Sequence, residues 1–223
     1  MQEETRAYEE LRVGFTAAVS HELRTPLARL LALLESASLP GADSDTLLAQ
    51  AREQVEEMSE LVDDVLFLSE LESGREVVAL GSTPALPVLE EVSDRLADSA
   101  ERADVSIRID ANAGVELPLR RRMLQIVVEN LAENAIRYAG PGSTLTLSVR
   151  PGLLEAADDG RGVDEDEFDR LFERFYRGDR ARASRGTGLG LAIVKHVVVA
   201  AGGEVEATGG SGHGLTVRCK FSV

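Results

Sequence analysis

Phe15-Thr16-Ala17-Ala18-Val19-Ser20-His21-Glu22-Leu23-Arg24-Thr25-Pro26-Leu27 sits inside a longer stretch whose only breakers between Glu3 and Ser38 are Gly14 and Pro26. Leu23, Leu27, Leu30 and Leu34 recur at steps of four, three and four, which is the apolar line of a helix. At about 100° per residue, His21 lies roughly 160° from Leu23 and Thr25 lies about 40° from His21. His21, Glu22 and Thr25 therefore sit on or near the solvent face, where packing does not need a histidine. An imidazole is nucleophilic near neutral pH, and a carboxylate beside it can hold one ring nitrogen while the other attacks. For His21 taken alone, a solvated residue on a polar face is the plainer reading. Pro26 adds weight to the chemical one. It deletes the helical hydrogen bond to the Glu22 carbonyl and favours a bend within one turn of His21.

Downstream, Leu39-Pro40-Gly41-Ala42-Asp43 reads as a turn, and Ser44 or Asp45 is placed to cap a second helix. There Ala51, Val55, Met58, Val62 and Val65 recur at steps of four, three, four and three, the heptad seam of nearly parallel helices. Two helices of about 45–55 Å cover such seams better in a set of four than as a lone hairpin. The expectation is an antiparallel helical hairpin that forms a dimeric four-helix bundle. The alternative is a long hairpin packed on a second domain of its own chain.

With 223 residues, 43% of them hydrophobic, the chain has room for one large or two small domains. No apolar run approaches the roughly 18–20 residues of a membrane span, and the acidic start does not read as a signal peptide. Cys219 is the only cysteine, which excludes an internal disulfide and fits a reducing cytosol. A formal charge of -15 argues against nucleic-acid binding, which needs a basic footprint. Residues 1–74 hold 16 acidic and 5 basic side chains against 23 and 19 in the remainder, so two chemically different parts are expected.

After Ser73-Gly74 the periodicity changes. Glu76–Leu80 and Val105–Ile109 read as short strands around a helix from about Pro87 to Arg102. Leu119–Tyr138 reads as a helix, and Thr144–Arg150 and Leu153–Ala157 as a hairpin around Pro151-Gly152. A helix from about Thr187 to Ala201 and a closing hairpin, Glu204–Thr208 with Leu215–Ser222, complete an α+β layer with helices on one face. In Asp158-Asp159-Gly160-Arg161-Gly162, Gly160 and Gly162 allow close backbone approach, and the Asp158 carboxylate can accept the exocyclic amine of adenine. Such turns are equally common as plain loops. Gly186-Thr187-Gly188-Leu189-Gly190-Leu191 precedes an apolar helix, so its N–H groups and the helix dipole can cradle phosphates. It is neither a dinucleotide fingerprint nor a P-loop. Asn130 and Asn134, one turn apart, offer amide oxygens that suit Mg²⁺, or else serve as buried structural asparagines.

The box from Phe15 to Leu27 closely resembles the phosphoacceptor box of bacterial sensor histidine kinases. Asn130-Leu131-Ala132-Glu133-Asn134-Ala135-Ile136-Arg137-Tyr138 resembles the asparagine box of their ATP-binding domain, and Leu171-Phe172-Glu173-Arg174-Phe175-Tyr176-Arg177 resembles the phenylalanine box that opens the ATP lid. That domain is an α/β sandwich of the GHKL ATPase type, shared with gyrase, MutL and heat-shock-chaperone ATPases. The departures are Ala201 in place of the usual histidine before Gly202-Gly203, and the lack of the common aspartate near Pro118. Neither touches a residue with an implied role.

The resemblance implies residues 1–74 as the dimerisation and histidine phosphotransfer domain and 75–223 as the catalytic ATP-binding domain. It implies transfer of the ATP γ-phosphoryl group to His21 and on to an aspartate of a response regulator receiver domain, with phosphatase activity toward that regulator. Glu22 would orient or deprotonate His21, and Thr25 would serve the phosphatase step. Asn134 would hold Mg²⁺. Asn130, Arg137, Tyr138, Asp158, Gly160, Gly162, Gly186, Thr187, Gly188, Leu189 and Gly190 would surround the nucleotide. The lid would run to about Arg185, with Arg177, Arg180, Arg182 and Arg185 able to screen the triphosphate. The expected setting is the cytoplasmic portion of a membrane-anchored homodimeric receptor.

Overall fold

The structure is a computed structural model that describes residues 2–72, 81–178 and 186–222. The strand expected at Glu76–Leu80 and the lid arginines Arg180, Arg182 and Arg185 lie outside the described residues. The chain divides into two compact units, Met1–Phe67 and Leu68–Val223.

In the first unit, α1 (Gln2–Ala37) runs through Pro26 as one helix, followed by α2 (Ser44–Glu72), whose residues up to Phe67 belong to this unit. The cap of α2 differs from the expectation. Asp43, rather than Ser44 or Asp45, accepts the Thr46 N–H at 3.2 Å and the Thr46 hydroxyl at 2.7 Å. These two bonds to its charged form hold the exposed Asp43 carboxyl below its usual range. Ser44 instead donates its hydroxyl to the Ala37 carbonyl at 3.1 Å, closing the turn between the helices. A connection this short makes them antiparallel neighbours.

The apolar seam of α2 splits in two. Ala51, Gln54 and Leu61 are 5%, 8% and 4% exposed, whereas Val55 and Val62 are 49% and 43% exposed. On α1, Leu23 and Leu30 are half-buried while Leu27 and Leu34 are exposed. In each helix, alternate members of the heptad line thus turn inward or outward. One hairpin can cover only half of a stripe that wide.

The second unit contains β1 (Thr83–Pro84), α3 (Ala85–Ala103), β2 (Val105–Ala111), β3 (Glu116–Leu117), α4 (Arg121–Tyr138), β4 (Ser143–Arg150) and β5 (Leu153–Asp158). A 3-10 turn (Glu165–Arg170), α5 (Gly190–Ala200), β6 (Glu204–Gly209) and β7 (Leu215–Lys220) follow. The main sheet has the order β2-β4-β5-β7-β6. Among the described strands only β2 and β4 pair in parallel, with Val105 opposite Ser143, and α4 provides the crossover a parallel pair requires. Alternation sets the register: Leu145, Leu147 and Val149 of β4 are buried between half-exposed neighbours. They share one core with Leu89 and Val92 of α3, Leu124, Val127 and Val128 of α4, and Ile193, Val194 and Val197 of α5. Burial in this core pushes the Cys219 thiol up to about 12, so it packs as a small apolar side chain. The minor pair, β1 with β3, was not legible as strands, since each is two residues long and β1 contains a proline.

Candidate active site

In the first unit, α1 presents His21 and Thr25 to solvent one turn apart, with Glu22 half-buried beside them. The hydroxyl of Ser20 is occupied by the Thr16 carbonyl at 2.8 Å. What the helix offers here is an accessible imidazole next to a carboxylate.

In the second unit, α4 meets two glycine-rich segments along one face. Near its middle, the Asn130 amide nitrogen donates to the Ile126 carbonyl at 2.8 Å. The Asn130 amide oxygen lies where a Cβ on Gly190 would come within 2.6 Å. Toward its C-terminus, a Cβ on Gly186 would lie 2.6 Å from the Tyr138 hydroxyl and 3.0 Å from an Arg137 nitrogen. At its end, the Ala139 carbonyl occupies the space a Cβ on Gly160 would need. The backbone carbonyl against Gly160 and the φ of +139° at Gly186 demand glycine, whereas a side chain at Gly190 would have to displace the Asn130 amide. Between these contacts sits Asn134, half-buried, with no hydrogen bond to its amide among the described residues. The Gly186–Gly190 turn then leads into α5. Thr187 Oγ accepts the Leu189 N–H at 3.2 Å, and Leu189 is fully buried as the anchor of the turn. Free N–H groups at a helix N-terminus with a positive dipole end suit phosphate.

Asp158 and Asp159 separate in role. Asp159 accepts the Thr144 N–H at 2.6 Å and so ties β4 to the loop. Asp158 is half-buried and accepts backbone N–H groups from Gly160, at 3.0 Å, and from Leu215. Its pKa is raised, chiefly by burial, with the N–H bonds opposing and the Asp159 charge adding to the rise. The loop is clasped by the β6–β7 turn: Gly214 donates to the Gly160 carbonyl at 3.0 Å and Gly212 to the Arg161 carbonyl at 2.6 Å. Gly162, at φ +63°, packs so closely on the Gly210 carbonyl that no side chain fits. The Leu215 N–H and this turn are part of the site but were missed by sequence reasoning, although the glycine run Gly209–Gly214 signalled a close approach.

The Asp158 geometry makes a prediction. A carboxylate with a raised folded pKa carries a cost when ionised, present above that value and absent below the ordinary aspartate range. Asp158→Asn is therefore expected to leave melting temperature at pH 7 unchanged or higher while weakening ATP binding by about tenfold. In the parent, ATP affinity should fall on acidification at a higher pH than an ordinary aspartate would dictate. Calorimetric titrations across pH, with melting curves, check both. Parent-like affinity in Asp158→Asn would remove Asp158 from adenine recognition.

Residues 11–74 match the family described as His Kinase A (phospho-acceptor) domain, and residues 119–223 match the Histidine kinase-, DNA gyrase B-, and HSP90-like ATPase family. With both domains in order, the chain belongs to the sensor histidine kinases. It is 34% identical over 96% of its length to the sensor-like histidine kinase SenX3 of Mycolicibacterium smegmatis, and spans 58% of that relative. To the phosphate regulon sensor protein PhoR of Pseudomonas aeruginosa it is 35% identical over 96% of its length, spanning 51%. Among solved structures it resembles the Acinetobacter baumannii histidine kinase AdeS, at 29% identity and TM-score 0.73, covering 91% of this chain and 97% of that one. A complex of histidine kinase ThkA with the response regulator TrrA shares the fold, at 19% identity and TM-score 0.74, covering 99% of this chain and 65% of that one. The helical hairpin followed by a GHKL-type mixed sheet is thus the architecture of this family. Autophosphorylation on histidine and transfer to a response regulator are its general activity.

Proposed function

We propose that this chain is the catalytic core of a sensor kinase that moves the γ-phosphoryl group of ATP to His21 and then to a receiver-domain aspartate. One observation carries the reading: His21 is exposed beside Glu22 on α1, within a phospho-acceptor domain that shares its chain with an ATPase domain. In the first step a nitrogen–phosphorus bond forms at His21 as the β–γ phosphoanhydride breaks and ADP leaves. Glu22 orients the imidazole or takes its proton, and the protein's remaining contribution is positioning and charge stabilisation. The complex of ThkA with TrrA supports a response regulator as the second partner. No membrane-crossing helix occurs among the described residues; relatives named as sensors and longer than this chain support a place for this core within a larger receptor, which we read as membrane-anchored with this core on its cytoplasmic side.

Within this reading, residues 1–74 dimerise and accept phosphate, and 75–223 bind ATP. The outward apolar stripe supports a homodimer whose two hairpins make a four-helix bundle. The Asn134 amide, which has no hydrogen-bond partner among the described residues, fits a site for Mg²⁺, which takes few protein oxygens and keeps waters and phosphates as its other ligands. Bound there, the ion would neutralise phosphate charge.

Incubation with γ-labelled ATP and Mg²⁺, followed by acid and alkali treatment, tests the reading. A phosphoramidate is lost in acid and survives alkali. No labelling, or labelling that survives acid, would refute it; labelling undiminished by EDTA would refute the magnesium role.

Thr25 lies one turn after His21 on the same exposed side, where its hydroxyl can orient a water toward a phosphoaspartate docked at His21. Thr25→Ala is expected to keep autophosphorylation within about twofold while regulator dephosphorylation falls by about tenfold or more. Following phosphoregulator decay with each variant checks this. Equal decay rates would exclude Thr25 from the phosphatase step.

A further inference from the structure

Upstream of the glycine turn, the 3-10 turn Glu165–Arg170 grips one aromatic side chain from two directions. The Tyr176 hydroxyl donates to Glu167 Oε1 at 2.8 Å. The Arg170 guanidinium stands 4.3 Å from the centre of the same ring. Tyr176 directly follows Phe175, which holds φ +61°, a left-handed conformation that costs a bulky residue free energy. Phe175 donates its N–H to the Gly188 carbonyl at 2.9 Å. A Cβ on Gly188 would lie 2.9 Å from the Phe175 Cα and 3.0 Å from the Tyr176 carbonyl oxygen. Contacts thus run without a break from Glu167 and Arg170 through Tyr176 and Phe175 to Gly188, two residues before α5 begins. Strain of the kind Phe175 carries persists where surrounding contacts over-determine it, and the grip on Tyr176 provides such contacts.

We propose that Glu167, Arg170 and Tyr176 are positioning residues for the triphosphate, holding the Gly186–Gly190 turn so that its N–H groups stay aimed at the phosphates. The assignment rests on the ATP reading above. It deepens that reading, because none of the three side chains need touch the nucleotide. Loss of the grip loosens phosphate binding in ground and transition states alike, so KM for ATP rises while kcat holds. Adenosine, which lacks phosphates, is unaffected.

Four variants of the full chain test this. Tyr176→Phe keeps the ring over Arg170 and removes only the hydroxyl. Glu167→Ala removes its acceptor, and Glu167→Gln restores one. Gly178→Ala acts by bulk: its Cβ would lie 2.5 Å from Glu167 Oε1, the free end of a flexible side chain, and Gly178 is not among the positive-φ glycines, so the carboxylate moves and the fold remains.

Tyr176→Phe, Glu167→Ala and Gly178→Ala should each raise KM for ATP about fivefold, with kcat within twofold and adenosine affinity unchanged. Glu167→Gln should behave as the parent. Equal weakening of ATP and adenosine would show a general structural role and overturn the proposal, as would parent-like KM in all three. A parent chain that binds neither ATP nor adenosine would instead overturn the ATP reading itself, and this assignment with it.

Discussion

Replacing His21 with glutamine is expected to reduce phosphate incorporation from ATP to background. An amide nitrogen is not nucleophilic, and no other side chain in the phospho-acceptor helix stands in the same place relative to Glu22 and Pro26. The loss should be chemical rather than structural. His21 is exposed, so its replacement opens no cavity, and glutamine is at least as good a helix former. Dimerisation and ATP affinity should therefore match the parent. Quantifying labelled protein alongside sedimentation and nucleotide titration separates these readouts. Persistent labelling would place the phosphoacceptor elsewhere, and joint loss of dimer and labelling would show that His21 packs rather than reacts.

The second large effect concerns the helical stripe. Leu48, Val55 and Val62 recur every seven residues on α2 and remain exposed in one chain, as do Leu27, Leu31 and Leu34 on α1. Two helices that leave this much apolar surface in water gain by meeting a second hairpin. In the proposed homodimer, Val62→Asp places a carboxylate in that seam twice. Each charge loses hydration without a partner, and the pair repels across the two-fold axis. A cost of about 3 kcal/mol corresponds to a dimer dissociation constant raised about a hundredfold. Val62 is 43% exposed within its own chain, so the single hairpin should stay helical and the ATP-binding unit should keep its nucleotide affinity. Sedimentation equilibrium decides it. An unchanged dissociation constant would move the interface off this face.

Both experiments begin from features that a linear reading carries well. Helical periodicity around Phe15–Leu27 places His21 and Thr25 opposite the leucines, since a helix converts spacing directly into angle. Strand alternation and the turn at Pro151-Gly152 suffice for the β4–β5 hairpin for the same local reason. The boxes around Asn134 and Asp158 are recognisable because close backbone approach demands glycine and the proposed metal and base contacts demand particular oxygens.

What periodicity could not show is which half of each heptad line its own hairpin covers. Ala51 and Val55 are indistinguishable by spacing, yet one is 5% exposed and the other 49%. That depends on where the second helix lies, a three-dimensional relation. The same holds for the Asp43 cap, decided by the path of the turn and its bonds to Thr46. It also holds for the different work of Asp158 and Asp159, adjacent and chemically identical. One is half-buried beneath the Gly160 and Leu215 N–H groups, and the other is drawn off by Thr144.

By itself, then, the sequence determined the helical hairpin, the α+β layer, the solvent-facing place of His21 and the residue types of the proposed nucleotide site, all consequences of local spacing and side-chain chemistry. Only the tertiary structure decided which seam residues remain open to a partner, which aspartate is desolvated, and that Tyr176 is held by Glu167 and Arg170 next to Gly188. Burial and hydrogen bonding at these positions come from segments distant in the chain, and no local pattern encodes a neighbour that folding alone brings near.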